Sequence, residues 1–253
     1  MKVSIITSCY NREKTIKQSM KSVLSQTYPD IEYIVVDGGS TDGSREIINS
    51  YRDRIAKVIF KDDNGIYEGL NNGIREATGD VIALCHSDDQ LYDINVVEKI
   101  VNEFKKHPDA DMVYADGVFV NPIGKYVRIW RSEHFRRWRL KCSWLPLHTT
   151  CYIRKEVYER YGLYDESYRI AADTKFLMNV LYNQRIKTSF LPEFVVKMQM
   201  GGASTNIHRT KEMWQEDIRA FKELGFRFPM LMKIMKMLWK PSQFIRGIYI
   251  DKI

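Results

Sequence analysis

Val81-Ile82-Ala83-Leu84-Cys85-His86-Ser87-Asp88-Asp89 joins a short apolar run to two adjacent carboxylates. The run has the length and composition of a strand buried on both faces, as in a parallel sheet. In open α/β sheets, ligands bind just beyond the carboxyl ends of the strands. Two neighbouring acids at such a place repel one another unless a cation lies between them. Hard oxygen ligands suit magnesium or manganese, and such an ion can carry a diphosphate. The same residues have a structural alternative, because Asp caps helices and a helical pattern begins near Ile94.

Strand and helix patterns alternate on the N-terminal side of this stretch. Residues 3–7 read as a strand and 13–25 as a helix, with Ile16, Met20, Val23 and Leu24 on one side. Pro29 breaks the chain, 31–37 is a second strand, and a loop of small residues from Gly38 to Ser44 opens a helix over 45–51. A third strand is expected at 57–60 and a helix at 65–77, before the turn into 81–85. Such alternation predicts a mostly parallel sheet covered by helices on both faces. Beyond Asp89 the pattern predicts a helix over 94–106, a strand pair at 112–120 and 125–130, and helices over 156–161, 174–182 and 211–224. No repeat or linker interrupts the chain. One continuous domain over 1–225 is expected, in halves of about 1–110 and 111–225, followed by a tail at 226–253.

The formal net charge is +7 over 253 residues. That points to anionic partners: a nucleotide-sugar, a phospholipid or a nucleic acid. The acids at the strand ends argue against the nucleic acid. Cys9, Cys85, Cys142 and Cys151 lack zinc-type spacing, and the first and second close apolar runs, as buried free thiols in a reducing compartment do. No window has the length of a transmembrane helix, so any membrane contact is expected to be peripheral. Three strand ends, at Thr7, Asp37 and Asp88, carry groups able to hold a nucleotide. For Asp37 and Asp42, turn and cap chemistry is the alternative.

These residues resemble the inverting family-2 glycosyltransferases of the GT-A fold. The resemblance lies in Val3-Ser4-Ile5-Ile6-Thr7 with Tyr10-Asn11, Ser25-Gln26-Thr27-Tyr28-Pro29, and Val35 to Gly43. It continues through Asp63-Asn64-Gly65-Ile66-Tyr67, Asn71-Asn72-Gly73-Ile74, Ala77-Thr78-Gly79-Asp80 and Ser87-Asp88-Asp89. It resumes at Leu147-His148, Tyr161 to Glu166, and Ile170-Ala171-Ala172-Asp173. The resemblance implies an α/β fold with a mixed, mostly parallel sheet. It implies a nucleotide-sugar site at Thr7, Cys9, Tyr10 and Asn11, with Asp37 on the base (uracil in a UDP-sugar), Gly65 and Asn71 beside it, and Asp88 on ribose or metal. It implies that Asp89, with Asp88, holds a divalent metal (Mn2+ or Mg2+) on the diphosphate and that Asp173 is the catalytic base. Members often carry Asp or Asn where His86 stands, so a strict DxD over 86–88 is absent. His86 reads as a neutral hydrogen-bonding residue at the strand end.

The implied chemistry is coherent. Displacing a nucleoside diphosphate from an anomeric carbon leaves negative charge that a divalent ion neutralises. The attacking hydroxyl loses a proton to a positioned carboxylate, and in-line attack inverts the anomeric centre. As a residue alone, Asp173 reads more readily as the cap of the helix over 174–182 than as a base. His148, His208 and Arg209 are candidates for acceptor or phosphate contacts, with Gly201 to Ser204 as a loop that could close. The basic aromatic segment 128–144 suits a phosphate-bearing acceptor or a solvated face over packed rings. In the tail, Leu231, Ile234, Met235 and Leu238 share one helical face, and Lys233, Lys236 and Lys240 another. That pattern suits either an anionic membrane surface or packing of the apolar face on the domain. The expectation is a metal-dependent inverting transferase moving a sugar, from UDP-sugar, to a saccharide or lipid-linked saccharide. The resemblance places it in cell-surface polysaccharide assembly, in the cytoplasm at the inner membrane face. The alternative is a nucleotide-sugar-binding module without catalysis.

Overall fold

The computed structural model describes residues 1–201 and 209–238. β1 (Val3–Cys9), β2 (Ile31–Asp37), β3 (Lys57–Phe60) and β4 (Val81–Leu84) run parallel in the order β3-β2-β1-β4. Their carboxyl ends therefore lie along one edge. The sheet continues from β4 through β8 (Tyr152–Arg154) and β6 (Met112–Val120) to β9 (Thr188–Gln199) and the short β5 (Gln90–Leu91). β7 (Tyr126–Trp130) forms an antiparallel pair with β6. Strands from both halves of the chain thus share one sheet.

Side chains alternate along each strand, so β1 feeds two cores. Ile5 packs with Val35, Ile48, Val97, Ile100 and Phe104, under α1 (Ile16–Leu24), α2 (Ser44–Asn49) and α4 (Val96–Lys106). Ile6 packs on the other face with Ile34, Leu70, Phe176 and Phe221. That face is covered by α3 (Ile66–Glu76), α5 (Arg137–Leu140), α6 (Lys155–Tyr161), α7 (Ala172–Met178) and α8 (Thr210–Glu223). α3 lies so close that a Cβ on Gly73 would come within 2.4 Å of Ile6 Cγ2.

The expected helices and strands are present, with ends shifted by a few residues. Three strands were not foreseen, and β9 is the largest. Pro192 lies inside it, and proline argues against a central strand. Two register shifts against β6 accommodate it, with Ala115 opposite Leu191 and Asp116 opposite Phe194. The helix expected over 174–182 begins at Ala172 and changes at Asn179 into a π-helical turn, Asn179–Asn183.

The basic aromatic segment is largely spent internally. The Arg128 guanidinium is buried over the rings of Phe119 and Trp130, 4.5 and 5.0 Å from their centroids. Burial pushes it down to about 10. Arg131 pairs with Asp116 at 2.8 Å and Arg139 with Glu133 at 2.6 Å. The tail departs from one of its two expectations, that its apolar face packs on the domain. α9 (Pro229–Leu238) turns Lys233 and Lys236 onto the domain, where both pair with Asp217, and leaves its apolar face outward. Lys240 lies outside the described residues. Among the described residues, no helix is long and apolar enough to cross a membrane.

Candidate active site

Asp37 ends β2 and is fully buried. Its Oδ1 accepts from the Gly39 and Ser40 amides at 3.2 and 3.0 Å and from Arg45 Nε at 2.6 Å. Its Oδ2 is buried with no hydrogen-bond partner among the described residues. Three donors orient this carboxylate, and one acceptor oxygen is left for a ligand, because buried polar atoms are rarely left unpaired. The loop before α1 is tied to the same place. Asn11 takes a left-handed φ of 51°, donates its amide to Ser40 Oγ at 2.9 Å and accepts from Thr41 at 2.8 Å. Tyr10 beside it is exposed. Asp42 is consumed by the turn, accepting from the Ser44 and Glu13 amides.

Beyond β4 the chain turns back on itself, the Asp89 amide donating to His86 O at 3.0 Å. Neither Asp88 nor Asp89 caps the following helix, whose N-cap is Asn95. Asp89 is buried. Its Oδ1 accepts from the Gln199 amide at 3.2 Å, and its Oδ2 has no partner among the described residues. Burial, reinforced by the Asp88 charge, pushes the Asp89 carboxyl well above the usual range. Asp88 is half-buried, with Arg12 Nε 4.0 Å away. This donor set fits a divalent ion held by one or two carboxylates and completed by ligand phosphates. Among the described residues, no group of three or more ligating side chains forms a self-sufficient metal cage.

The third element of the site comes from the far half of the chain. His148, in a 3-10 turn after β7 (His148–Thr150), places Nε2 2.8 Å from His86 Nε2 and Nδ1 3.1 Å from Asp173 Oδ2. Burial, with help from His148 and Arg12, pushes His86 down to about 3, so it stays neutral as expected. Tyr67 Oη donates to Ile170 O at 2.5 Å and lies 3.2 Å from Asp173 Oδ1. Asp173 sits in the first turn of α7 but is not its cap. Glu216 of α8 accepts from the Arg169, Ile170 and Ala171 amides at 2.7, 2.8 and 2.9 Å. Glu216 thus holds the segment leading into α7, the N-cap position is Ala171, and the Asp173 side chain faces the cleft. Asp88, Asp89, His86, His148, Tyr67 and Asp173 line one cleft that opens to solvent.

Not every expected residue reaches this region. Thr7 Oγ1 donates to Cys85 O at 2.7 Å and meets Tyr33 Oη at 3.0 Å, pinning three strands together. Cys9 is buried in the core beside Ile16 and Met20, where burial above all, and the Asp37 charge, push its thiol up to about 11. Both side chains are buried on the same face of β1, Thr7 holding the strands together and Cys9 in the core. Asn71 is buried too: Nδ2 donates to Tyr164 O at 2.8 Å, and Oδ1 accepts from the Tyr164 amide at 3.1 Å. It is a clamp between distant segments. Gly65 opens α3 at a φ of 154° that favours glycine, with open space where a Cβ would sit. Arg209 is committed to Glu212 at 2.9 Å, and His208 and Gly202 to Ser204 lie outside the described residues. Sequence reasoning missed Tyr67, Arg12 and Gln199. Tyr67 stands in a quoted motif, and only its depth in α3 marked it.

A mainly parallel α/β sheet with acids gathered at its strand ends is the architecture of the GT-A glycosyltransferases. S. aureus TarS 1-349 in complex with UDP-GlcNAc superposes with a TM-score of 0.69 at 19% identity, over 88% of this chain and 65% of that one. The mannosyltransferase PcManGT from Pyrobaculum calidifontis, in complex with GDP-Man and Mn2+, gives 0.66 at 16% identity, over 91% and 68%. This chain spans 39% of the longer TarS chain. The family described as "Glycosyl transferase family 2" matches residues 4–162, and the chain belongs to that family. It is a glycosyltransferase. Its relatives include a PGL/p-HBAD biosynthesis glycosyltransferase of Mycobacterium bovis, 28% identical over 81% of this chain and 79% of that protein. An uncharacterized glycosyltransferase of Rickettsia prowazekii, RP339, is 30% identical over 68% and 56%.

Proposed function

We propose that this enzyme transfers a sugar from a UDP-sugar, with inversion and with a divalent metal, to a hydroxyl of a saccharide or lipid-linked saccharide at the inner face of the cytoplasmic membrane. Cell-surface polysaccharide assembly is the setting. The observation that carries the reading is the pair of buried oxygens without a partner among the described residues, Asp37 Oδ2 at the end of β2 and Asp89 Oδ2 beyond β4, on the same edge of the sheet with β1 between them.

Asp37 Oδ2 is the acceptor for a base N–H, held in place by Gly39, Ser40 and Arg45. Tyr10 and Asn11 border the nucleotide, and Gly65 leaves room beside it. Asp89, assisted by Asp88, holds Mn2+ or Mg2+, which when bound neutralises charge on the departing diphosphate. Asp173 takes the proton of the attacking hydroxyl. His148 holds one of its oxygens, Tyr67 approaches the other, and Glu216 holds the backbone just before it. A bound donor of this kind in TarS and a metal with a nucleotide-sugar in PcManGT support the reading by likeness of fold.

Calorimetric titration of UDP, GDP, dTDP and CDP, with and without manganese, tests it. Manganese-dependent binding of UDP that is lost in Asp89→Ala is the expected result. Binding of no nucleotide would remove the donor-site assignment, and preference for GDP would replace the uracil reading of Asp37.

A further inference from the structure

α9 is mounted on the domain by its charged side. Lys233 is 3% exposed and donates to Asp217 Oδ2. Lys236 Nζ donates to Asp217 Oδ1 at 2.7 Å and to Thr174 Oγ1 at 3.0 Å. Asp217 of α8 is fully buried. Burial alone would raise its carboxyl, but the two ammonium groups hold it below the usual range. Met232 turns inward with the lysines. This reverses the ordinary arrangement, in which an amphipathic helix gives its apolar stripe to the core.

Met230, Leu231, Ile234, Met237 and Leu238 recur at helical spacing on the opposite side, and Phe228 precedes them. All six are between 43% and 66% exposed. Contiguous apolar surface of this kind marks an interaction site. The two lysines that would otherwise attract lipid headgroups are locked away, so this helix offers apolar insertion, and the basic residues lie on either side of it in sequence. Arg227 precedes the helix and is exposed. The chain continues from Leu238 with Trp239, Lys240, Phe244, Arg246, Tyr249 and Lys252 against a single acid, Asp251. Aromatic and basic residues beside an apolar helical face are the composition of interfacial segments. A second copy would bring like charge against this end of the chain, whereas anionic headgroups complement it.

We propose that the outward face of α9 docks the enzyme onto an anionic lipid monolayer. The Lys236–Thr174 hydrogen bond ties the inner side of this helix to the residue after Asp173, so docking sets the lipid surface one helix away from the element that carries the base. The proposal deepens the membrane-borne acceptor reading above. Its test uses no donor, acceptor or metal, so failure of either leaves the other standing.

The full chain is sedimented with phosphatidylglycerol/phosphatidylcholine vesicles and with phosphatidylcholine vesicles alone. The expected result is binding to the anionic vesicles about tenfold tighter than to the neutral ones. Leu231→Glu with Ile234→Glu should lose at least about tenfold on anionic vesicles at unchanged Tm. Ile123→Glu, an exposed apolar residue elsewhere, should bind as the parent does. Equal binding by the double variant, or no binding by the parent, overturns the proposal. So does a concentration-dependent dimer in sedimentation velocity that the double variant abolishes, which would assign the face to a second copy. If the double variant fails to fold, Met237→Cys in a Cys142→Ser background, labelled with bimane, decides. A blue shift on adding anionic vesicles supports docking, and no shift overturns it.

Discussion

His148 Nδ1 lies 3.1 Å from Asp173 Oδ2 while its Nε2 lies 2.8 Å from His86 Nε2. With Asp173 ionised and both rings neutral, one proton order satisfies both contacts. His148 donates from Nδ1 to the carboxylate and accepts at Nε2 from His86. The imidazole spans a strand end and a helix start, and its tautomer is fixed by what it touches.

Loss of His148 is therefore expected to misplace the base and leave the nucleotide site intact. His148→Ala should lower kcat by about tenfold to a hundredfold, the cost of a small misplacement of a reacting group, with an unchanged Kd for nucleotide. His148→Asn keeps a donor near the Nδ1 position and should retain more activity than His148→Gln, which keeps one near Nε2. Equal loss in both, with weakened nucleotide binding, would assign His148 to the donor.

Asp173→Asn removes the base and keeps the shape. A fall in kcat of about 10²–10⁴ is expected, the usual worth of a general base, with nucleotide affinity preserved. Rapid-quench single-turnover measurement separates this from slow product release. Loss of donor binding in the same variant would place Asp173 on the nucleotide instead.

Asp63 carries a pH dependence. Burial, opposed by the Gly65 amide and reinforced by the charges of Glu68, Asp37 and Asp62, raises it to about 6. The folded form thus binds this proton more tightly than the unfolded chain does, and stability falls as pH rises from about 4 through about 6. Asp63→Asn should raise stability by about 1–2 kcal/mol at pH 8, a figure discounted for its partial exposure. At pH 3.5 the variant and parent should melt alike. Thermal melts across that range check both, and a destabilised variant at pH 8 would mean that the carboxylate holds the loop together.

Gly73→Ala sets helix propensity against space. Alanine would favour α3 by about 1 kcal/mol, but its Cβ would meet Ile6 Cγ2 at 2.4 Å and Val36 Cγ2 at 3.3 Å. Overpacking of this kind costs about 1–3 kcal/mol, so a net loss is expected in urea melts. Stabilisation would show that the sheet can yield there.

The parallel half of the fold was legible because apolar runs and helical periodicity occur there in unbroken alternation, and the acids at Asp37, Asp88 and Asp89 sit where such strands end. β9 was not, because Pro192 with Glu193 interrupts an otherwise apolar run, and pairing with β6 overrides the proline. The resemblance located Thr7, Cys9 and Asn71 along their elements but not the side each faces. Packing of α1 and the grip on Tyr164 decide that. The meeting of His86 with His148, 62 residues apart, has no local trace. Nor has the grip of Glu216 on the amides of Arg169, Ile170 and Ala171.

Tyr67 and Asn71 stand one turn apart on α3, and each reaches about a hundred residues ahead, to Ile170 and Tyr164. α3 begins at Gly65, on the side assigned to the donor, and ends against β1 and β2. Two side chains of one helix therefore hold the segment that leads into Asp173, without passing along the intervening chain. This also means that neither half of the polypeptide can assemble the cleft alone.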